Sequence, residues 1–196
     1  MARHQMKPLR RALASSVAAA LFGVFFSSRS SFAFNMSQAE GIHAIQPLLT
    51  ALRATQLPVC VEAAERLSAS FAHTHVADLA LRSAKLDSAH ALALAAAIRH
   101  ATQGGAFQLR GFSASYNPQI GSTGAAAIVA AMPDNLAEFG LVGCALDDVA
   151  GDAIVEFMAR ATTLRVICVE ENTFSTAMVA RITQAGRLLP GCLVVV

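Results

Sequence analysis

Tryptophan is absent from this 196-residue sequence, tyrosine occurs once, at Tyr116, and charged residues make up only 14%. So few rings argue against an aromatic-lined pocket; an abundance of alanine and leucine suits helices packed closely on a scaffold. No acidic residue precedes Glu40, whereas Arg3, Lys7, Arg10, Arg11 and Arg29 do. The formal +2 of the whole chain therefore hides a leading stretch of +5 and leaves −3 for residues 40–196. A mildly acidic body with scattered arginines lacks the basic footprint of a nucleic-acid binder, so no nucleic-acid partner is expected. Cys60, Cys144, Cys168 and Cys192 show no C-x-x-C spacing. That argues against a thiolate metal site, and the lack of a disulfide framework argues against an oxidising compartment.

The first 33 residues pull the other way. "MARHQMKPLRR" is basic, "ALASSVAAALFGVFF" is apolar and uncharged, and "SSRSSFA" ends on small residues at Ser31 and Ala33. This order resembles a secretory signal peptide cleaved after Ala33, which implies a secreted or periplasmic protein. The apolar run is too short, and too rich in alanine and serine, for a membrane span, so none is expected in the mature chain. Its Arg- and Ser-rich, acid-free character also fits a mitochondrial transit peptide. Alternatively Met36 is the true start, and the protein is cytoplasmic. In each case residues 1–33 stay outside fold reasoning.

From Val76 onward the sequence aligns with itself. Leu109, Phe112, Ala114 and Asn117 stand at offsets 0, 3, 5 and 8. The same offsets select Val76, Leu79, Leu81 and Ala84; Leu136, Phe139, Leu141 and Cys144; and Leu164, Ile167, Val169 and Asn172. The starts are 33, 27 and 28 residues apart, the first interval being lengthened by the Gly-rich "HATQGGAFQ". A second column holds Leu86, Ile120, Leu146 and Phe174. Eight residues on come Leu94, Ile128, Ile154 and Ile182, and one helical turn later Ile98, Met132 and Met158, with Gly186 breaking the pattern in the last unit.

The run L-x-x-L-x-L-x-x-N/C followed by an apolar residue and a G-x-x-G-A-x-x-I helix resembles a leucine-rich repeat of the ribonuclease-inhibitor type. Asn117, Asn172 and Cys144 match its Asn/Cys position; Ala84 and Ala114 depart from the pattern. The resemblance covers residues 76–196, about four repeats starting at 76, 109, 136 and 164, and implies an α/β solenoid with parallel strands inside and helices outside. Physically, each strand–helix unit cannot bury its apolar side alone, and stacking solves this. Offsets 0, 3 and 5 then face the core. The side chain at offset 8 serves backbone groups orphaned where the strand bends into its loop. Gly121 and Gly124 let the chain turn tightly into its helix.

Upstream, Ser37 and Glu40 have capping-box spacing, and Ile42, Ile45, Leu48, Leu49 and Leu52 form an apolar stripe with Pro47 a kink or restart. A second helix presents Val61, Ala64, Leu67 and Phe71 on one face. Residues 36–75 thus read as a helical N-terminal cap or a degenerate first repeat. Near the other end, Leu193 and Val196 repeat the three-residue offset, so a last strand begins there. Its apolar edge suggests a covering partner or a homo-oligomer.

No catalytic constellation stands out, and no enzyme activity, cofactor or metal is expected. His73 and His75 lack further ligands. "ALDDVAGD" lacks the ligand spacing of a calcium loop and reads as the start of a helix, and "GGAFQLRG" leads into a strand, unlike a phosphate loop. Cys144 is placed inward and Cys168 outward, a poor geometry for a disulfide. His90 falls at the Gly124 position, on the surface.

Offsets 2, 4, 6 and 7 project onto the concave strand face or its rim. From this set Asp78, Arg82, Ser113, Ser115, Tyr116, Glu138, Val142, Cys168 and Glu170 form the candidate partner-binding surface, with Tyr116 and Arg82 the favoured anchors. The resemblance implies a non-enzymatic protein-binding module with an unidentified protein partner. The alternative is a structural subunit of a larger assembly, docked through the last strand.

Overall fold

The computed structural model describes residues 43–71 and 73–196. The leader 1–33, the Ser37/Glu40 capping box and Ile42 lie outside the described residues. The described chain is α/β. Helix α1 runs through residues 43–54, continuous across Pro47, and is followed by α2 (Pro58–Phe71). Strands and helices then alternate: β1 (Val76–Ala80), α3 (Ser88–Thr102), β2 (Gln108–Ser113), α4 (Gly121–Ala131), β3 (Glu138–Gly140), α5 (Asp148–Arg160), β4 (Val166–Cys168), α6 (Thr176–Arg187) and β5 (Leu193–Val195). The five strands form one sheet in chain order, every neighbouring pair parallel.

Register follows the apolar columns. Leu79, Phe112, Phe139, Ile167 and Val194 are successive backbone partners across the sheet. The first four of these side chains are buried, as are Leu81, Ala114, Leu141 and Val169 two residues on. Phe112 stacks on Phe139 at 6.0 Å between centroids, and Phe139 meets Phe157 of α5 at 5.6 Å. The helices supply the rest of the core through Leu94, Ile98, Ile128, Ile154, Phe157 and Ile182. Helix starts are fixed locally. Asp87 accepts from the His90 N–H, Asp147 from the Val149 N–H and Ser175 from the Met178 N–H.

Five expectations need correction. Val76 is 37% exposed instead of lying in the offset-0 column. The register shifts between Ala77 and Asp78, so that Leu109 pairs with Ala77 and Arg110 is the extra residue of a bulge. Gly124 lies inside α4, and its role is close helix packing: a Cβ there would meet Ala91 Cβ at 2.9 Å and the Ser88 Cα at 3.1 Å. Gly121, at φ +59°, is the glycine that makes the turn. Gly186 is no gap in the core, because α6 approaches β5 there and a Cβ would stand 2.3 Å from Val194. On α2 the buried face is Cys60, Ala63, Ala64, Leu67 and Phe71, with Val61 only half-buried. The extra residues of the first unit, moreover, enter α3 as well as the glycine loop; α3 has 15 residues against 11 to 13 in α4–α6.

Candidate functional site

The site begins where the strands end. Beyond the strands the parallel ladder continues: Leu81 N–H donates to Ser113 O, Ala114 N–H to Gly140 O, Leu141 N–H to Cys168 O and Val169 N–H to Val195 O. Two residues later the chain turns sharply. Ser83, Tyr116, Gly143 and Glu171, all at offset 7, have φ between +53° and +61°. Only one of the four is glycine, so the turn is imposed by its neighbours. The N–H groups of Ser83, Tyr116 and Gly143 donate to Ser115, Val142 and Glu170 in the next unit.

The offset-8 side chains lock this bend from inside. Asn117 Nδ2 donates to Leu81 O at 2.9 Å and Ala114 O at 2.7 Å, while its Oδ1 accepts from Leu86 N–H at 3.0 Å. Asn172 repeats the arrangement two units further on, donating to Leu141 O and Val169 O and accepting from the Cys144 and Leu146 N–H groups. Between them Cys144 donates its thiol to Ala114 O at 3.3 Å. Burial pushes that thiol's pKa up, which keeps it a donor. Each of the three side chains thus satisfies backbone groups of the preceding unit.

Above this scaffold the outward residues of four strands line one groove of about 380 Å³. It brings together eight of the nine sequence-selected residues: Asp78, Arg82, Ser113, Ser115, Glu138, Val142, Cys168 and Glu170. Tyr116 lies outside the lining. Its ring sits beneath the Arg82 guanidinium at 4.1 Å, its hydroxyl donates to Glu171 at 3.4 Å, and its edge rests over Gly143. The two favoured anchors are therefore engaged with each other along the rim. Ser115 and Val142 are floor residues. Ser115 is 3% exposed and its Oγ accepts from the Val142 N–H at 3.1 Å.

Arg110 carries a role that the spacing did not reveal. The bulge turns it toward Asp78, where its Nε donates to Oδ1 at 3.0 Å and its Nη2 to Oδ2. This hydrogen bonding holds the Asp78 carboxyl below its ordinary pKa. Gly111 makes room, since a Cβ there would stand 2.8 Å from Asp78 Oδ1. The readable signal was the Arg-Gly pair within the strand; a glycine there often marks a bulge.

The other candidate groups fall elsewhere. Cys168 is half-buried, and burial, then the Glu170 charge, push its thiol up. All four cysteines are free. His73 and His75 are exposed in the segment before β1, with His75 edge-on to Phe71 at 4.9 Å. His90 is half-buried and completes a capping box with Asp87. Among the described residues no set of three or more His, Cys, Asp or Glu side chains is placed to hold a metal ion. No described helix is long and apolar enough to cross a membrane. In comparison with known proteins, the chain matches no family model and no curated sequence.

Proposed function

We propose that residues 76–196 form a short leucine-rich-repeat solenoid of the ribonuclease-inhibitor type, with residues 36–75 as its helical cap. The protein is a non-enzymatic binding module that recognises another protein on its concave strand face. The observation that carries this reading is the single groove shared by eight residues selected from sequence offsets alone. Repeated units give a surface whose side chains are set by register, with backbone groups already satisfied, so a partner meets a pre-organised face. The groove's one thiol, Cys168, is shifted away from the thiolate that nucleophilic chemistry requires. Export by the leader belongs to the same reading, and N-terminal sequencing of the mature protein tests it.

Affinity capture from the native source, using the full chain and the variants Ser113→Leu and Glu138→Arg, tests the site. Partners of the wild type should be lost from both variants. Retention of every specific partner by both would remove the groove from the reading.

A second reading, a structural subunit docked through β5, is favoured by Leu193 of that strand, which is 58% exposed. Light scattering after size exclusion decides it. An oligomer broken by Leu193→Lys supports it, and a monomer at micromolar concentration refutes it.

A further inference from the structure

The groove is electrically lopsided. On the β1–β2 side both cations are engaged: Arg110 chelates Asp78, and Arg82 lies over the Tyr116 ring. On the β3–β4 side stand Glu138 and Glu170, and among the described residues neither makes an ion pair or a side-chain hydrogen bond. Glu138 is exposed on β3, and Arg110, which feels its charge, gives its hydrogen bonds to Asp78. Glu170 is half-buried, and its Oε2 is shielded from solvent with no hydrogen-bond partner among the described residues. A carboxylate oxygen shielded from solvent and without a protein donor is unfavourably placed until a donor arrives.

Between the two glutamates runs a row with small side chains. Ala80, Ser113, Gly140 and Cys168 are successive backbone partners across β1–β4. Glu138 lies two residues before Gly140 in sequence, and Glu170 two residues after Cys168, so the pair flanks this row from opposite sides. Strands about 4.8 Å apart make such a row roughly 14 Å long, the span of about four extended residues.

We propose that the groove takes an extended segment of a partner polypeptide, laid along this row, that presents a lysine or arginine to the Glu138–Glu170 half. The inference rests on the groove being the recognition surface and adds the chemistry of what it recognises. Charge complementarity selects the occupant. An acidic segment would meet two unpaired carboxylates, and a neutral one would leave both without a counter-charge. A guanidinium or ammonium supplies that donor after a change of rotamer at the half-buried Glu170.

The test uses a phage-displayed library of random nine-residue peptides selected on the immobilised full chain, on Glu138→Gln/Glu170→Gln and on the groove-filled Ser113→Leu. Circular dichroism first checks that each variant is folded. Enriched peptides should carry Lys or Arg and disappear on Ser113→Leu. By fluorescence anisotropy they should bind Glu138→Gln/Glu170→Gln at least about tenfold more weakly than wild type, with affinity falling as salt rises. Enrichment that vanishes on Ser113→Leu but shows no basic residues overturns the cation inference and leaves the groove as the surface. Enrichment equal on all three proteins, or none on any, overturns both.

Discussion

Asn117→Asp replaces the most buried polar side chain of the ladder with an isostere that lacks the amide donor. Asn117 is 1% exposed and faces the carbonyls of Leu81 and Ala114 at 2.9 and 2.7 Å. In acid the introduced carboxyl is protonated, accepts from Leu86 N–H and donates to one carbonyl. One buried acceptor is left short of a donor, costing about 1–3 kcal/mol. Near neutral pH the ionised form would place negative charge against both carbonyl oxygens, away from water. The folded protein therefore raises the carboxyl's pKa above its unfolded value of about 3.9. Throughout that window the native state binds the extra proton, so stability falls as pH rises, by about 1.4 kcal/mol per pH unit. A rise of about three units would add roughly 4 kcal/mol by pH 7, a large share of a total stability of about 5–15 kcal/mol. Urea unfolding followed by far-ultraviolet circular dichroism at pH 4, 5.5 and 7, against wild type, reads the difference. Asn172→Asp serves as an internal comparison: its partners are equivalent but it is half-buried, so its slope with pH should be shallower. A deficit at Asn117 that is independent of pH, or below about 0.5 kcal/mol, would refute the ladder's role.

Ile128→Ala removes a fully buried side chain between α4 and the sheet and should cost about 2–5 kcal/mol in the same assay; under about 0.5 kcal/mol would contradict its placement. Arg110→Gln should move the Asp78 carboxyl titration, followed by carbon NMR, upward toward 3.8; an unmoved midpoint would show that Arg110 does not hold it down. Because the folded pKa of Asp78 is depressed, the pair stabilises above the unfolded value and loses that contribution as pH falls through the folded one. With both side chains substantially exposed, solvent screening keeps the effect small. Glu170→Gln should lower the Cys168 pKa and speed its alkylation at pH 8.5, and an unchanged or slower rate would separate the two groups.

Much of the core was legible because burial in a strand has a strict direction. Offsets 3 and 5 found Leu79, Phe112, Phe139, Ile167 and their neighbours without coordinates, since a side chain two residues along a strand returns to the same side. The ladder was legible for a similar reason: an asparagine among apolar residues signals a backbone group in need. The rim was not. Tyr116 stood out as a lone large side chain, and nothing in its spacing revealed that Arg82 and Glu171 engage it from 34 and 55 residues away.

The sequence by itself determined which face of each unit is apolar and where each unit bends, because both are set within a few residues by side-chain alternation and backbone need. Tertiary structure alone decided the pairing of Arg110 with Asp78, the engagement of Tyr116 by Arg82 and Glu171, and the uneven charge of the groove. These depend on how one layer registers on the next, and neighbouring layers lie about thirty residues apart in the chain, beyond the reach of any local preference.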